Sequence, residues 1–225
     1  MTDEYDQARD LLGAEFHVVH QQAREPDGQG ISIASRWPIS SVREIDLQVT
    51  PRTRDFACAT LIAEIAAPDP FGPVLFVNHL PSWQVDFEYE REQQAVAAAR
   101  AIDKILADRN LHVIMVGDFD ADPASASVRF LTGRQSLGGM SACYRDAWES
   151  AHPGEPGYTF TPENPLVTDH DWPFRRIDYI LVRCADHGGP TLEISRCDLI
   201  FNAPIDGVWA SDHFGLVADL ALPAG

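Results

Sequence analysis

No run of apolar residues in this chain approaches the roughly 18 that a membrane-crossing helix needs, so no membrane span is expected. The first residues, MTDEYDQARD, lack the basic start and apolar stretch of a secretory signal. Cysteine is sparse. Cys58, Cys143, Cys184 and Cys197 are widely spaced, with no C-x-x-C pair to suggest zinc and no dense disulfide framework. They read as ordinary thiols of a reducing compartment, and a cytoplasmic location is expected. Basic residues are few: Lys plus Arg number 17 against 34 Asp plus Glu, a formal charge of -17. Nucleic acid is bound largely by neutralising phosphates with Lys and Arg, so such a surface repels a long polyanion. A general nuclease is disfavoured. A small phosphate ester held through a metal is not.

What is present suits one domain of 225 residues, with 45% hydrophobic and 23% charged content. Helical spacing over Asp3–Leu12, with Thr2 as N-cap, predicts a short first helix. Strands are expected at Glu15–Val19, Ile31–Ser35, Val42–Val49, Phe56–Ile65 and Val74–Asn78, separated by Gly- and Pro-rich stretches. The long helix is expected over Val85–Asp108, where Ala95, Ala98, Ile102, Ile105 and Leu106 share a face. Leu111–Val116 then reads as a buried strand and Ser125–Thr132 as a short helix. Ile177–Arg183, Leu192–Ile200 and Phe214–Leu220 complete the strands. Many short strands around a single long helix suit two mostly antiparallel sheets packed together with helices outside. The Pro-, Gly- and Thr-rich stretch His152–Arg175 reads as functional surface loops. No internal repeat or linker divides the chain.

The stretch VGDFDADP ends a buried strand in three carboxylates, Asp118, Asp120 and Asp122. Clustered carboxylates repel one another and are costly to desolvate, which points to a cation or to chemistry that uses anionic oxygens. Four other stretches place reactive groups at strand ends: FVNHLPSW with Asn78 and His79, GYTF, RRIDYILV with Asp178, and WASDHFG with Asp212 and His213. Each has an ordinary alternative. His79 suits a structural histidine, Asp178 a partner of Arg175 or Arg176, and Ser211 with Asp212 a turn. Asp122 before Pro123 suits a cap on the following turn. Together, two histidines and four aspartates at strand ends suit metal-assisted hydrolysis.

The order NHL, GDF, YTF, RRIDYI, SDH, preceded by ISIASRWPI, resembles the endonuclease/exonuclease/phosphatase superfamily. The resemblance runs from about Ile31 to the C-terminal strand. It implies a four-layer α/β/β/α sandwich of two mostly antiparallel sheets, and hydrolysis of a phosphodiester or phosphomonoester with Mg²⁺ or Mn²⁺. By resemblance, His79 contacts the scissile phosphate or protonates the leaving oxygen, and Asp118 orients or deprotonates the attacking water. Asp178 pairs with His213, which contacts or protonates the phosphate, and Asp212 ligates the metal. Asn78, Asp120 and Arg176 are expected at the substrate. The chain departs from the family pattern at Asp120, where the family has a neutral Asn; an ionised carboxylate offers no donor, so Asp120 is expected to ligate a second cation, to accept from the nucleophilic water or to stay protonated beside Asp118. Family members also open with a strand ending in Asn and another ending in Gln-Glu, both metal ligands. MTDEYDQARDLLG resembles the helix after Gln-Glu, so the fold is expected to be N-terminally shortened, with Glu4 as candidate substitute. A shortened sheet exposes an edge, which makes a homo-oligomer through that edge an expectation as well. Two further readings stay open: a nuclease, and a binding or assembly module that keeps the fold without turnover. Trp83 and Trp172 suit stacking on a base or lining an apolar pocket.

Overall fold

The computed structural model describes residues 1–2, 4–107, 109–168 and 174–223. In chain order the elements are α1 (Gln7–Leu12), β1 (His17–His20), β2 (Ser32–Ser35), β3 (Ile39–Asp46), a 3₁₀ turn (Pro51–Asp55), β4 (Ala59–Ile65), β5 (Val74–Leu80), α2 (Glu88–Leu106) and β6 (His112–Asp118). There follow α3 (Ala126–Leu131), β7 (Tyr144–Asp146), α4 (Ala147–Ala151), β8 (Asp178–Arg183), β9 (Glu193–Ile200) and β10 (Gly215–Ala221). Six strands form one sheet in the order β3-β4-β5-β6-β8-β7. All its pairs are antiparallel except β5–β6, which is parallel because α2 carries the chain back between them.

The pleat sorts this sheet into two apolar faces. Ile62, Leu75, Val77, Val113, Met115 and Leu181 meet the helical layer, where Ala95, Ala99 and Ile102 of α2 and Val128 and Leu131 of α3 are buried. Alternate residues face two hairpins. Leu61, Ala63 and Ile65 of β4 pack with Ile33 of β2 and Val19 of β1. Ile180 of β8 packs with Leu199 of β9 and Leu216 of β10. Antiparallel β1–β2 and β9–β10 thus cover the second face as separate two-stranded sheets, with α4 packed against both β8 and β9. This layering matches the sandwich expected from the strand pattern. No helix among the described residues is long and apolar enough to cross a membrane.

Several boundaries differ from expectation for local reasons. The first helix starts at Gln7, not Asp3, because Asp6 is its N-cap and accepts from the Arg9 N–H. Thr2 instead closes the preceding turn, accepting from the Tyr5 N–H at 3.1 Å; Asp3 itself lies outside the described residues. α2 begins at Glu88, since Gln84–Phe87 forms a turn closed by Phe87 N–H to the Gln84 carbonyl. Its expected last residue, Asp108, lies outside the described residues. β7 and α4, of three and five residues, are too short to show a period and were not expected.

Gly117 lets β6 end in the right place. Its φ is +142°, and a Cβ there would lie 2.2 Å from the His79 carbonyl oxygen and 3.0 Å from Asn78 Oδ1. The close approach of β6 to β5 is what fixes the position of Asp118 at the end of β6. Gly117→Ala is expected to cost at least about 2 kcal/mol, read as a lowered urea midpoint, because backbone rather than a flexible side chain must move. An unchanged midpoint would mean that the strands separate freely there.

Candidate functional site

Two strand ends and one loop deliver the site. Asp118 closes β6 and Asp178 opens β8, and the antiparallel register sets them directly opposite. Both belong to the pleat that faces the hairpins. His213 arrives from the segment before β10, tied down by Phe214 N–H to the Thr159 carbonyl at 2.7 Å and by Asn164 Nδ2 donating to the Ser211 carbonyl at 2.8 Å. The YTF stretch is the brace. Thr159, fully buried, accepts through Oγ1 from the Ile177 and Asp178 N–H groups, and Phe160 bridges both Arg175 and His213.

Among the described residues, one group of acidic, Cys or His side chains brings three ligand atoms together: Asp118, Asp178 and His213, all within 4.8 Å of one another. His213 Nδ1 lies 2.9 Å from Asp178 Oδ2 and 3.9 Å from Asp118 Oδ2. Burial alone would lower the His213 pKa, but the hydrogen bond and charge of Asp178, with Asp118 and Asp212, push it up to about 9. Asp118 moves the other way from a free carboxylate. Burial first, then the charges of Asp120 and Asp178, hold it well above its usual range. Carboxylate oxygens are hard donors, and a set whose mutual repulsion is this poorly offset fits a divalent cation.

Other expected site residues fall differently. Asn78 and His79 are neighbours in sequence and so point to opposite faces. Asn78 shares the face of Asp118, but its Nδ2 donates to the Ser32 carbonyl at 3.0 Å, tying β5 to β2. His79 faces the helical layer, is 2% exposed, meets Thr60 Oγ1 at 2.7 Å through Nδ1 and stands edge-on to Phe119. Arg176 is buried, bonded to Asp146 at 2.6 Å, and does not line the cavity that Asp178 opens on. The expectation of Arg176 at the substrate is therefore corrected. Arg175 is the arginine on the site's side, donating to the Asp120 carbonyl at 2.8 Å and lying 3.6 Å from Asp122. Asp178 takes neither arginine as partner; His213 fills that role. Asp122 closes its turn through its carbonyl, which accepts from Ser125 N–H, rather than by a side-chain cap.

Asp120 sits at φ +49°, its N–H donating to Asp118 Oδ1 at 3.0 Å. Burial raises its pKa to about 6 against the pull of Arg175, His213 and Arg91. Asp120 and Asp212 both stand outside the three-residue ligand group, although Asp212 lines the adjoining cavity. Glu4 is exposed and does not line that cavity; Asp6 does. Trp83 is exposed and away from it, and Trp172 lies outside the described residues.

The cavity, about 790 Å³, opens between the hairpins. One wall is Asp118, Asp178, Asp212 and His213. The opposite wall was invisible to sequence reasoning: His20 bridges Asp6 (Nε2 to Oδ2, 2.9 Å) and Ser32 (Nδ1 to Oγ, 2.7 Å), while Arg24 donates to Ser32 Oγ at 3.1 Å. Each is an isolated polar residue in its own segment. The one available signal was the two histidines that bracket HVVH.

His79 also sets a stability profile. Burial holds its pKa down to about 3, against 6.5 for a free histidine. The unfolded chain therefore binds the proton first. Stability from the neutral ring is fully present above pH 6.5 and is lost as pH falls from there toward 3, by roughly 2 kcal/mol at pH 5. His79→Gln is expected to flatten urea-midpoint curves over that window. Parallel curves for both proteins would refute it.

The chain matches the model of the Endonuclease/Exonuclease/phosphatase family over residues 1–213. No curated protein matches it. Among solved structures, D. rerio TDP2 complexed with single-strand DNA product aligns with a TM-score of 0.71 at 21% identity, over 97% of this chain and 82% of that one. The human Nocturnin catalytic domain with bound sulfate aligns at 0.71 and 16% identity, over 98% and 77%. The mannosyl-6-phosphatase of Bacteroides thetaiotaomicron aligns at 0.68 and 17% identity, over 95% and 79%. At these identities the likeness is one of fold.

Proposed function

Since this chain belongs to the endonuclease/exonuclease/phosphatase family, we propose that it hydrolyses a phosphoester with Mg²⁺ or Mn²⁺, and that its substrate is small or lipid-derived rather than duplex DNA. The observation that carries this reading is the Asp178–His213 pair at 2.9 Å with Asp118 across the ladder, all opening on one cavity. In the proposed reaction Asp118, whose basicity is raised by burial and by its acidic neighbours, orients the attacking water and takes its proton. His213 is cationic at neutral pH and donates to a phosphoryl oxygen, while Asp178 fixes its ring. Asp118, Asp178 and Asp212 would hold the metal, which when bound polarises the phosphoryl oxygen and offsets the carboxylate charge. Asp120, whose pKa burial raises to about 6, is a candidate second ligand. His79 is buried against Thr60 and Phe119 on the helical side and does not line the cavity, so no step is assigned to it.

Substrate size is argued from charge. The structural neighbours bear names that span single-strand DNA and a sugar phosphate, so they do not choose. A net charge of -17 opposes a long polyanion far more than a single phosphoester. The test is a panel of bis-p-nitrophenyl phosphate, p-nitrophenyl phosphate, nicked DNA and abasic DNA, each with Mg²⁺, Mn²⁺ or EDTA. Turnover of a small ester that EDTA abolishes and added metal restores is expected. No metal-dependent turnover, together with no calorimetric binding of either ion, would leave a non-catalytic binding module; preference for DNA would overturn the substrate reading.

A further inference from the structure

At the far end of β7 and β8, away from the cavity, two of the four cysteines meet. Tyr144 pairs with Arg183 and Arg145 with Val182. One step outward, Cys143 and Cys184 therefore stand opposite each other, and the Cys184 N–H donates to the Cys143 carbonyl at 2.8 Å. Opposed residues on an antiparallel ladder share a face, with Cα atoms ~5.5 Å apart at a hydrogen-bonded pair, inside the window of about 4.4–6.8 Å that a disulfide spans. The two thiols are within hydrogen-bonding reach.

Their surroundings differ in the way a reactive pair requires. Cys143 is exposed on the edge strand, and Arg145 Nη1 donates toward its Sγ at 3.9 Å. The accessible sulfur is the one that a disulfide in solution can reach. Cys184 is buried; burial and the neighbouring Cys143 thiol raise its pKa to about 11, so it does not initiate attack. Cys58 is enclosed by Ser82 and Gln94, and Cys197 lies in the core beside Trp148. Neither has an exposed sulfur.

We propose that Cys143 and Cys184 form a thiol-oxidation site that takes a low-molecular-weight disulfide as its oxidant. The Cys143 thiolate attacks one sulfur of RSSR, making the mixed disulfide Cys143–S–S–R and expelling RS⁻. The Cys184 thiol gives its proton to solvent and attacks the Cys143 sulfur, closing Cys143–S–S–Cys184 and expelling the second RS⁻. Two protein thiols are oxidised by two electrons, and one RSSR is reduced to two RSH. The product ties edge strand β7, otherwise joined to the sheet by three residue pairs, covalently to the end of β8.

The test is the full chain incubated with glutathione disulfide, quenched in acid and mapped by peptide mass spectrometry. A single Cys143–Cys184 crosslink is expected, with a mass loss of two hydrogens and no glutathione retained. Cys184→Ser should trap glutathione on Cys143, and Cys143→Ser should lower total oxidation at least about tenfold, because the accessible attacking thiol is gone. Glutathione accumulating on Cys143 of the unaltered protein without a crosslink would overturn the pairing. Oxidation that proceeds equally in Cys143→Ser would overturn the role of Cys143 as initiator.

Discussion

His213→Ala is expected to lower kcat/KM for a small phosphodiester by about 10²–10⁴-fold, the usual scale of a positioned proton-transfer group. The ring is held at one nitrogen by Asp178 at 2.9 Å, and that bond together with Asp118 and Asp212 keeps it charged up to about pH 9 despite its burial. Alanine removes the cation from a pocket otherwise dominated by carboxylates, so developing negative charge on the phosphoryl group meets repulsion instead of a donor. The loss should fall mainly on kcat, because the donor matters most where charge develops. Asp178→Asn is expected to reproduce much of it, since an amide neither supports the imidazolium nor enforces its orientation. Assays at saturating Mg²⁺ or Mn²⁺, with thermal midpoints recorded alongside, separate chemistry from folding. His213 is partly exposed and Phe214 and Asn164 hold its segment independently, so the midpoint should move little. Turnover that survives His213→Ala would sink the proposed mechanism.

Arg176→Met is expected to cost about 3–5 kcal/mol of folding stability while leaving KM of the folded protein unchanged. Arg176 and Asp146 have side chains only 6% and 3% exposed and meet at 2.6 Å. Breaking such a pair strands an uncompensated charge in the interior, which costs more than the pair itself contributes. Asp146 is further committed, because its Oδ1 accepts from Trp148 N–H at 3.0 Å and caps α4. The informative second variant is therefore Asp146→Asn combined with Arg176→Met. Asparagine keeps an acceptor for the cap and removes the orphan charge, so the double variant should regain part of the loss. Urea unfolding of the three proteins measures this. A rise in KM with unchanged stability would restore Arg176 to the substrate.

These two residues show how far the chain could be read without its structure. Period-two alternation, the shared helical face of Val85–Asp108 and the motif order were enough to locate most strands, the long helix, the sandwich architecture and the grouping of Asp118, Asp178 and His213. Each of those is a local pattern or a strand end, and apolar runs ending in a charged residue advertise both. The second wall of the cavity was not legible, because Asp6, His20, Arg24 and Ser32 belong to different local segments and become one network only when the β1–β2 hairpin folds over β4.

Direction was the other thing hidden. Asn78 and His79 are consecutive, and composition says nothing about which of them shares the face of Asp118. Extended backbone sends neighbours to opposite faces. Which face holds the site is settled by what packs on each side: α2 and α3 on one, the hairpins on the other. The sequence by itself determined most of the strands, the layered sandwich plan and the carboxylates at the sheet's end. Only the tertiary structure decided that His79 is buried on the helical side, that Arg176 is committed to Asp146 and that Arg175 stands beside Asp120, because those choices depend on register and packing between residues far apart in the chain.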